Sequence, residues 1–408
     1  MTNMEHRYKQ HAENAINYTA NLINKFGARL TGTPACLQAA EHLKESLDKQ
    51  CGNAKLETFE THPGVFNGFF IIEPILYSIF TLAAFFGYVF LGACGQLLTV
   101  IYGILQFGTY KEYFKFLYPK KECSNVVATL EPQSEVRQQI IISGHHDSAQ
   151  EVRLLRHAQK LYGLRVIIPD VFIIIGLLSS FLWIGIQSLT GHAPEFAISL
   201  SLLWLVSIPI ACTKIFFIGP NGTPGAGDNL IASTSLIEFA KIFSVQTGNS
   251  SLSHTRLILA SFDAEEAGLR GARAFVKKNL EFLTKYPTYM LNIDSIYEVK
   301  ELQFLTSDLN NTVALDKPLA ELCLQTALNA GYPGRLTQMK CGGGSTDAAE
   351  LAKIGVRCTS LLAMSTDLIR DGLVYHTMND LPEAIEPQAV EACLEVCCNV
   401  IKQLDNQI

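Results

Sequence analysis

The chain has 408 residues, of which 48% are hydrophobic and 17% charged, and its mean hydropathy is +0.19. That is apolar and charge-poor beside the ~25% charged residues of ordinary soluble domains, and it points toward membrane segments. A net charge of -6 and a pI near 6.0 exclude a general nucleic-acid binder, which would carry a basic domain.

The start, MTNMEHRYKQHAENAINY, has no apolar core of a signal peptide, so none is expected. The first elements read as helix, helix, strand. In PACLQAAEHLKESLDKQCG, Pro34 opens a helix, Leu37, Ala40, Leu43 and Leu47 recur at helical intervals, and Gly52 suits its C-terminal cap. AKLETFETH then reads as a strand. From Pro74 to Tyr110 no residue is charged, and one bilayer span needs ~20 apolar residues, so this stretch predicts two short helices turning near Gly92 to Gly95. A second apolar region, Val171 to Pro194 followed by Phe196 to Thr213, predicts another hairpin. Between and after them, SNVVATLEP, QQIIISGHH, TRLILASFD, YMLNID and VRCTSLLAM read as buried strands. Helical patterns follow GAGDN, EEAGL and STDAAEL, and a last helix begins at Pro387. Alternating strands and helices predict an α/β fold: a mixed, largely parallel sheet with helices on both faces, carrying two inserted apolar helical hairpins.

The expected organisation is a discontinuous catalytic body of residues 1–64, 109–163 and 219–408, with hairpins at 65–108 and 164–218. Because each hairpin leaves and re-enters one sheet, each crosses the membrane an even number of times, about four spans in all. Lys111, Lys115, Lys120, Lys121, Arg153, Arg156, Lys160, Arg165 and Lys214 lie on the sheet's side of these spans, while the far turns contain no Lys or Arg. The positive-inside rule then predicts a body facing the cytoplasm. Eleven cysteines without a regular framework agree with a reducing compartment.

Acidic residues and histidines gather where strands end: His145 to Asp147, Asp263 to Glu266, Asp294, and His376 after a strand and a loop. Open α/β sheets place their sites at the carboxyl ends of strands. Singly, each has an ordinary structural explanation. Together they supply imidazoles and carboxylates, the mixed N/O donor set of zinc or a similar divalent ion. CGGGSTD lacks the G-K-[ST] of a phosphate loop.

GHHDS, GAGDNLIAS, FDAEEAGLRGARAF, NIDSI and VYHTMND stand in the order of the ligand motifs of the M28 zinc metallopeptidases, which the chain resembles. RLTGTP at Arg29 to Pro34 and GGSTDAAEL at Gly343 to Leu351 extend the resemblance over nearly the whole chain outside the apolar insertions. The resemblance implies two divalent metal ions, zinc by family habit. Asp228 would bridge them, with Glu266 and His376 completing one site and His145 and Asp294 the other. Asp147 would orient the His145 imidazole, Glu265 would be the general base acting on a metal-bound water, and Tyr375 would hydrogen-bond the oxyanion. Asp347 would orient rather than ligate, and His146 would point away. The implied activity is a membrane-anchored aminopeptidase acting on peptides. A glutaminyl cyclase or carboxypeptidase of the same family stays open, as does an inactive membrane receptor or scaffold. The intact motif set argues against the scaffold, and the near absence of charge within the spans argues against a transporter. The oligomeric state is not written in the sequence.

Overall fold

The computed structural model describes residues 7–156, 159–244, 252–365 and 372–408. Helices α1 (Arg7–Phe26) and α2 (Pro34–Cys51) precede strand β1 (Lys55–Thr61). The start of α2 follows from its sequence: the Thr33 side chain accepts from the Cys36 amide, and Pro34 fills a position whose amide has no helical partner. At the other end Gly52 takes the left-handed conformation (φ 71°) and closes the helix.

Helices α3 (Gly64–Phe85) and α4 (Val89–Thr109) form the first hairpin, and β2 (Lys121–Leu130), β3 (Gln138–His145), the short β4 (Gln150–Val152) and the one-turn α5 (Arg153–Arg156) follow. The second hairpin is α6 (Tyr162–Thr190) and α7 (Ala197–Cys212). Then come β5 (Ile218–Gly222), α8 (Ile231–Phe243), β6 (Thr255–Phe262), α9 (Arg270–Thr284), β7 (Thr288–Ile296), β8 (Leu302–Asp308), β9 (Val313–Ala314), α10 (Lys317–Asn329), β10 (Arg335–Gln338), α11 (Ala348–Ala352), β11 (Arg357–Ala363) and α12 (Pro387–Asp405).

The main sheet has the strand order β1-β2-β6-β3-β7-β11-β8-β10, with β9 on β8, while β4 and β5 form a separate ribbon. Pairing is parallel across β6, β3, β7 and β11 and antiparallel from β1 to β6 and between β11 and β8. The mixed, largely parallel sheet is thus as expected. Side chains alternate across it: Ile140 and Ile142 join Leu257 and Leu259 in a core with α1, α2, α8, α10 and α12, whereas Ile141, Ile258 and Met290 pack with α9 and α11 on the other face. Each such buried side chain contributes about 1.5–3 kcal/mol by leaving water. Because the four central strands run in parallel, the ends of β3, β6, β7 and β11 emerge at one edge.

Four helices are long and apolar enough to cross a membrane, spanning Gly64–Phe85, Val89–Thr109, Gln159–Thr190 and Ala197–Phe216. Outward they show Ile71, Ile75, Ile79, Leu98, Ile104, Leu178, Leu182 and Leu202, an apolar surface that water would not favour. Two details differ from expectation. The first hairpin turns at 86–88, and Gly92 and Gly95 lie inside α4. A methyl group at Gly92 would stand 2.6 Å from the Ala84 Cβ, so this glycine serves close helix packing rather than a turn. In addition, α3 begins at Gly64 and α6 at Tyr162, which brings Glu73, Arg165 and Asp170 into apolar helices. Glu73 and Asp170 both pair with Lys214 just beyond α7, which answers their charge.

Candidate metal centre

Strand β3 ends on His145, the irregular segment 226–230 enters α8 through Asp228, β6 runs into the turn bearing Glu265 and Glu266, β7 carries Asp294 near its end, and the loop after β11 brings in His376. All five expected ligands meet at the sheet's carboxyl edge. Asp228 lies between the two histidines: its Oδ1 is 3.3 Å from His145 Nε2 and its Oδ2 is 2.9 Å from His376 Nε2. Glu266 Oε1 stands 3.2 Å from the same His376 nitrogen.

Candidate ligand atoms of His145, Asp228 and Asp294 lie within 4.8 Å of one another, and so do those of Asp228, Glu266 and His376. With metal–N and metal–O bonds of about 2.0 Å, two ligands of a tetrahedral ion stand roughly 3.3 Å apart, which is the spacing found here. His145 Nε2, Asp228 Oδ2 and Glu266 Oε1 are buried without a hydrogen-bond partner. Such atoms are costly to bury bare, and a cation between them removes the cost. The residues therefore fit a pair of divalent ions that share Asp228.

Electrostatics point the same way. Burial pushes the Glu265 carboxyl well above the usual range against the pull of His145, with Glu266, Asp347 and Asp294 adding to the rise. Burial lifts Asp294 to about 7, again opposed by His145 and reinforced by Asp228. For His376, burial alone would lower its value, yet the charge of Glu266 and the close approach of the Asp228 and Glu266 carboxylates hold it up at about 10. Carboxylates outnumber imidazoles, and the surplus negative charge is what bound cations would neutralise. Glu265 approaches His145 Nε2 at 3.8 Å, and its carboxylate also falls within ligand range of His145 and Glu266. The two triads are complete without it. The side chains of Glu265, Glu266 and His376 are 11%, 13% and 17% exposed while His145 is fully buried, so the centre opens toward solvent on the side of these three.

Asp147 has more to do than orient an imidazole. His145 Nδ1 lies 3.1 Å from the Asp147 backbone oxygen and 3.3 Å from its Oδ1. The carboxylate also accepts from the amides of Glu265 (3.1 Å) and Glu266 (3.2 Å) and from the Thr31 hydroxyl (2.9 Å). Tyr375 stacks on the His376 ring at 3.9 Å between centroids, beside the centre but in a packing contact. Asp347 lies in the same pocket of charge with both carboxylate oxygens buried and unpartnered. His146 points away, to the Ser261 hydroxyl at 2.8 Å.

Two supporting residues carry roles that sequence reasoning missed. Asp380, in the same VYHTMND stretch as His376, accepts from the amides of Gly227 and Asp228 and from the Tyr297 hydroxyl. It thereby fixes the segment that presents Asp228. Arg29 is fully buried and donates to the carbonyls of His146, Gly27, Pro224 and Gly225, tying the His145 loop to that same segment. The nearby RLTGTP stretch was the available signal for Arg29.

The fold is similar to that of several solved structures. A glutaminyl cyclase from an Acidobacteriales bacterium aligns with a TM-score of 0.56 at 15% identity, over 98% of this chain and 96% of that one. An aminopeptidase from Aneurinibacillus sp. strain AM-1 gives 0.55 at 13%, over 98% and 95%. A Zn-dependent exopeptidase from Parabacteroides distasonis gives 0.54 at 14%, over 96% and 97%. A search of curated protein sequences returns no match. The model of peptidase family M28 matches residues 209–401, which include Asp228, Glu265, Glu266, Asp294 and His376, and this match together with the fold is consistent with an M28 metallopeptidase.

Proposed function

We propose that this chain is a membrane-anchored aminopeptidase with two divalent ions, in which His145 and Asp294 would hold one ion, Glu266 and His376 the other, and Asp228 would be shared by both. The observation that carries this reading is the placement of one Asp228 oxygen against each histidine. The ions, zinc by donor type, would lower the pKa of a bound water and polarise the scissile carbonyl. Glu265, left over from both triads and reached by solvent, accepts the water's proton and returns it to the leaving amine. Asp147 holds the Glu265–Glu266 turn and the His145 ring in place for this. The negative lining of Glu265, Asp294 and Asp347 suits the free ammonium of a peptide's N-terminus. Tyr375 is placed to shape the substrate side of His376.

The hairpins at 65–108 and 164–218 would anchor the body formed by 1–64, 109–163 and 219–408 in the lipid bilayer. The test is incubation of the detergent-purified full chain with free, N-blocked and N-terminal-glutamine peptides, read by mass spectrometry beside Glu265→Gln. Stepwise loss of residues from unblocked peptides only, lowered roughly 10²–10⁴-fold in the variant with metal content unchanged, is expected. Cyclised glutamine without cleavage would replace this reading with the cyclase.

A further inference from the structure

Behind the Asp228 centre, on the other side of the loops that form it, lies a second cluster of metal-binding side chains. Candidate ligand atoms of Cys36, His146 and Asp263 all fall within 4.8 Å of one another, and the three residues are fully buried. The Cys36 thiol donates to Asp263 Oδ1 at 3.3 Å. Cys36 is a free thiol.

We propose that Cys36, His146 and Asp263 form a zinc site, separate from the Asp228 centre, that staples α2 to the ends of β3 and β6.

One thiol, one imidazole and one carboxylate make up three donors of the mixed S/N/O kind that zinc takes. Bonds of about 2.3 Å to sulfur and 2.0 Å to oxygen put tetrahedral neighbours roughly 3.5 Å apart, close to the Cys36–Asp263 separation. The supporting contacts are those a metal site needs. His146 Nδ1 is engaged by the Ser261 hydroxyl at 2.8 Å, and that hydroxyl is itself 2.7 Å from Ser233 Oγ. This leaves Nε2, which is buried and has no partner, as the free donor. Asp263 Oδ2 is held by the Ser124 amide at 2.9 Å, leaving Oδ1 for the ion. Binding would release the Cys36 thiol proton to solvent, and the ion's two positive charges would offset the thiolate and the carboxylate that the interior otherwise disfavours.

The placement gives the site a purpose. His146 follows the ligand His145 directly, and Asp263 stands two residues before Glu265. An ion here would fix both active-site loops from behind. The donors at the Asp228 centre are nitrogen and oxygen only, so a thiolate signature separates the two sites, and failure of one reading leaves the other standing.

The test replaces zinc by Co²⁺ in the detergent-purified full chain and records the thiolate-to-cobalt charge-transfer absorption together with metal content. The wild type is expected to show the band. Cys36→Ser should abolish it and lose one metal equivalent per chain, while the metal retained at the Asp228 centre reports that the variant is folded. Asp228→Asn should keep the band. Absence of the band from the wild type, or its survival in Cys36→Ser, would overturn the proposal.

Discussion

Asp147 and Glu265, 118 positions apart, are joined by a 3.1 Å hydrogen bond from the Glu265 amide to Asp147 Oδ1. The other oxygen of the same carboxylate takes the Glu266 amide, so one side chain sets the turn that bears both glutamates. Asp147→Asn preserves the shape but turns an NH₂ toward one of these N–H donors. Supporting residues of this kind typically contribute 10–100-fold to metal affinity or activity. A loss of about that size in kcat/KM, with an unchanged circular dichroism spectrum, is expected. Wild-type kinetics in Asp147→Asn would show that the turn holds its own geometry.

The apolar helices contain one buried charge cluster. Lys214 donates to Glu73 of α3 and, at 2.6 Å, to Asp170 of α6, and its ammonium lies 4.6 Å from the centre of the Phe69 ring. Glu73 is 5% and Lys214 8% exposed. Removing one member of a buried pair strands the other's charge, at a cost of about 3–5 kcal/mol, whereas replacing both is far milder. Lys214→Met should therefore lower the thermal inactivation temperature in detergent sharply, and Glu73→Gln combined with Lys214→Met should recover most of the loss. Equal stability of the single and double variants would show that the pair contributes nothing.

How much of this was legible in the sequence depended on how local the cause was. The bounds of α2 follow from Pro34, Thr33 and Gly52, which act on their own neighbours, and they were readable. The ligand residues were readable because each sits in its own short motif at a strand end. Gly92 and Gly95 misled, because a glycine that allows a turn and a glycine that admits a neighbouring helix look alike in one dimension. The work of Asp380 and Arg29 was hidden because most of their partners lie more than a hundred positions away. Pairing such as Lys214 with Glu73 is likewise a property of the packed helices.

Asp405 gives a prediction about pH. It sits at the end of α12 and accepts from the amides of Ser253 (2.7 Å) and His254 (3.0 Å) and from the Thr255 hydroxyl (2.7 Å), anchoring the start of β6. Burial would raise its pKa, but these hydrogen bonds outweigh it and hold the carboxyl below its ordinary value of 3.8. The folded state then binds fewer protons than the unfolded state, so the contribution is complete above the unfolded value. It is lost as pH falls through the folded value. Asp405→Ala should destabilise the chain by about 1.5–3 kcal/mol at neutral pH, the range for a hydrogen-bonded charge. The gap between wild type and variant in thermal melts should narrow below about pH 4. A gap that stays constant down to acid pH would show that the charge is not what matters.

The spans also make a prediction about sidedness. Lys and Arg cluster at the helix ends nearest the sheet, and the turns at 86–88 and 191–196 carry none. The positive-inside rule then predicts that the body would face the cytoplasm. Cys123 is buried and makes a poor reporter, whereas Cys341 is exposed on the body and His192 is exposed in the far turn between α6 and α7. A membrane-impermeant thiol reagent applied to intact cells, followed by peptide mapping, should modify a His192→Cys variant at position 192. It should reach Cys341 only after permeabilisation. Modification of Cys341 in intact cells, with position 192 protected, would reverse the orientation and place the centre outside.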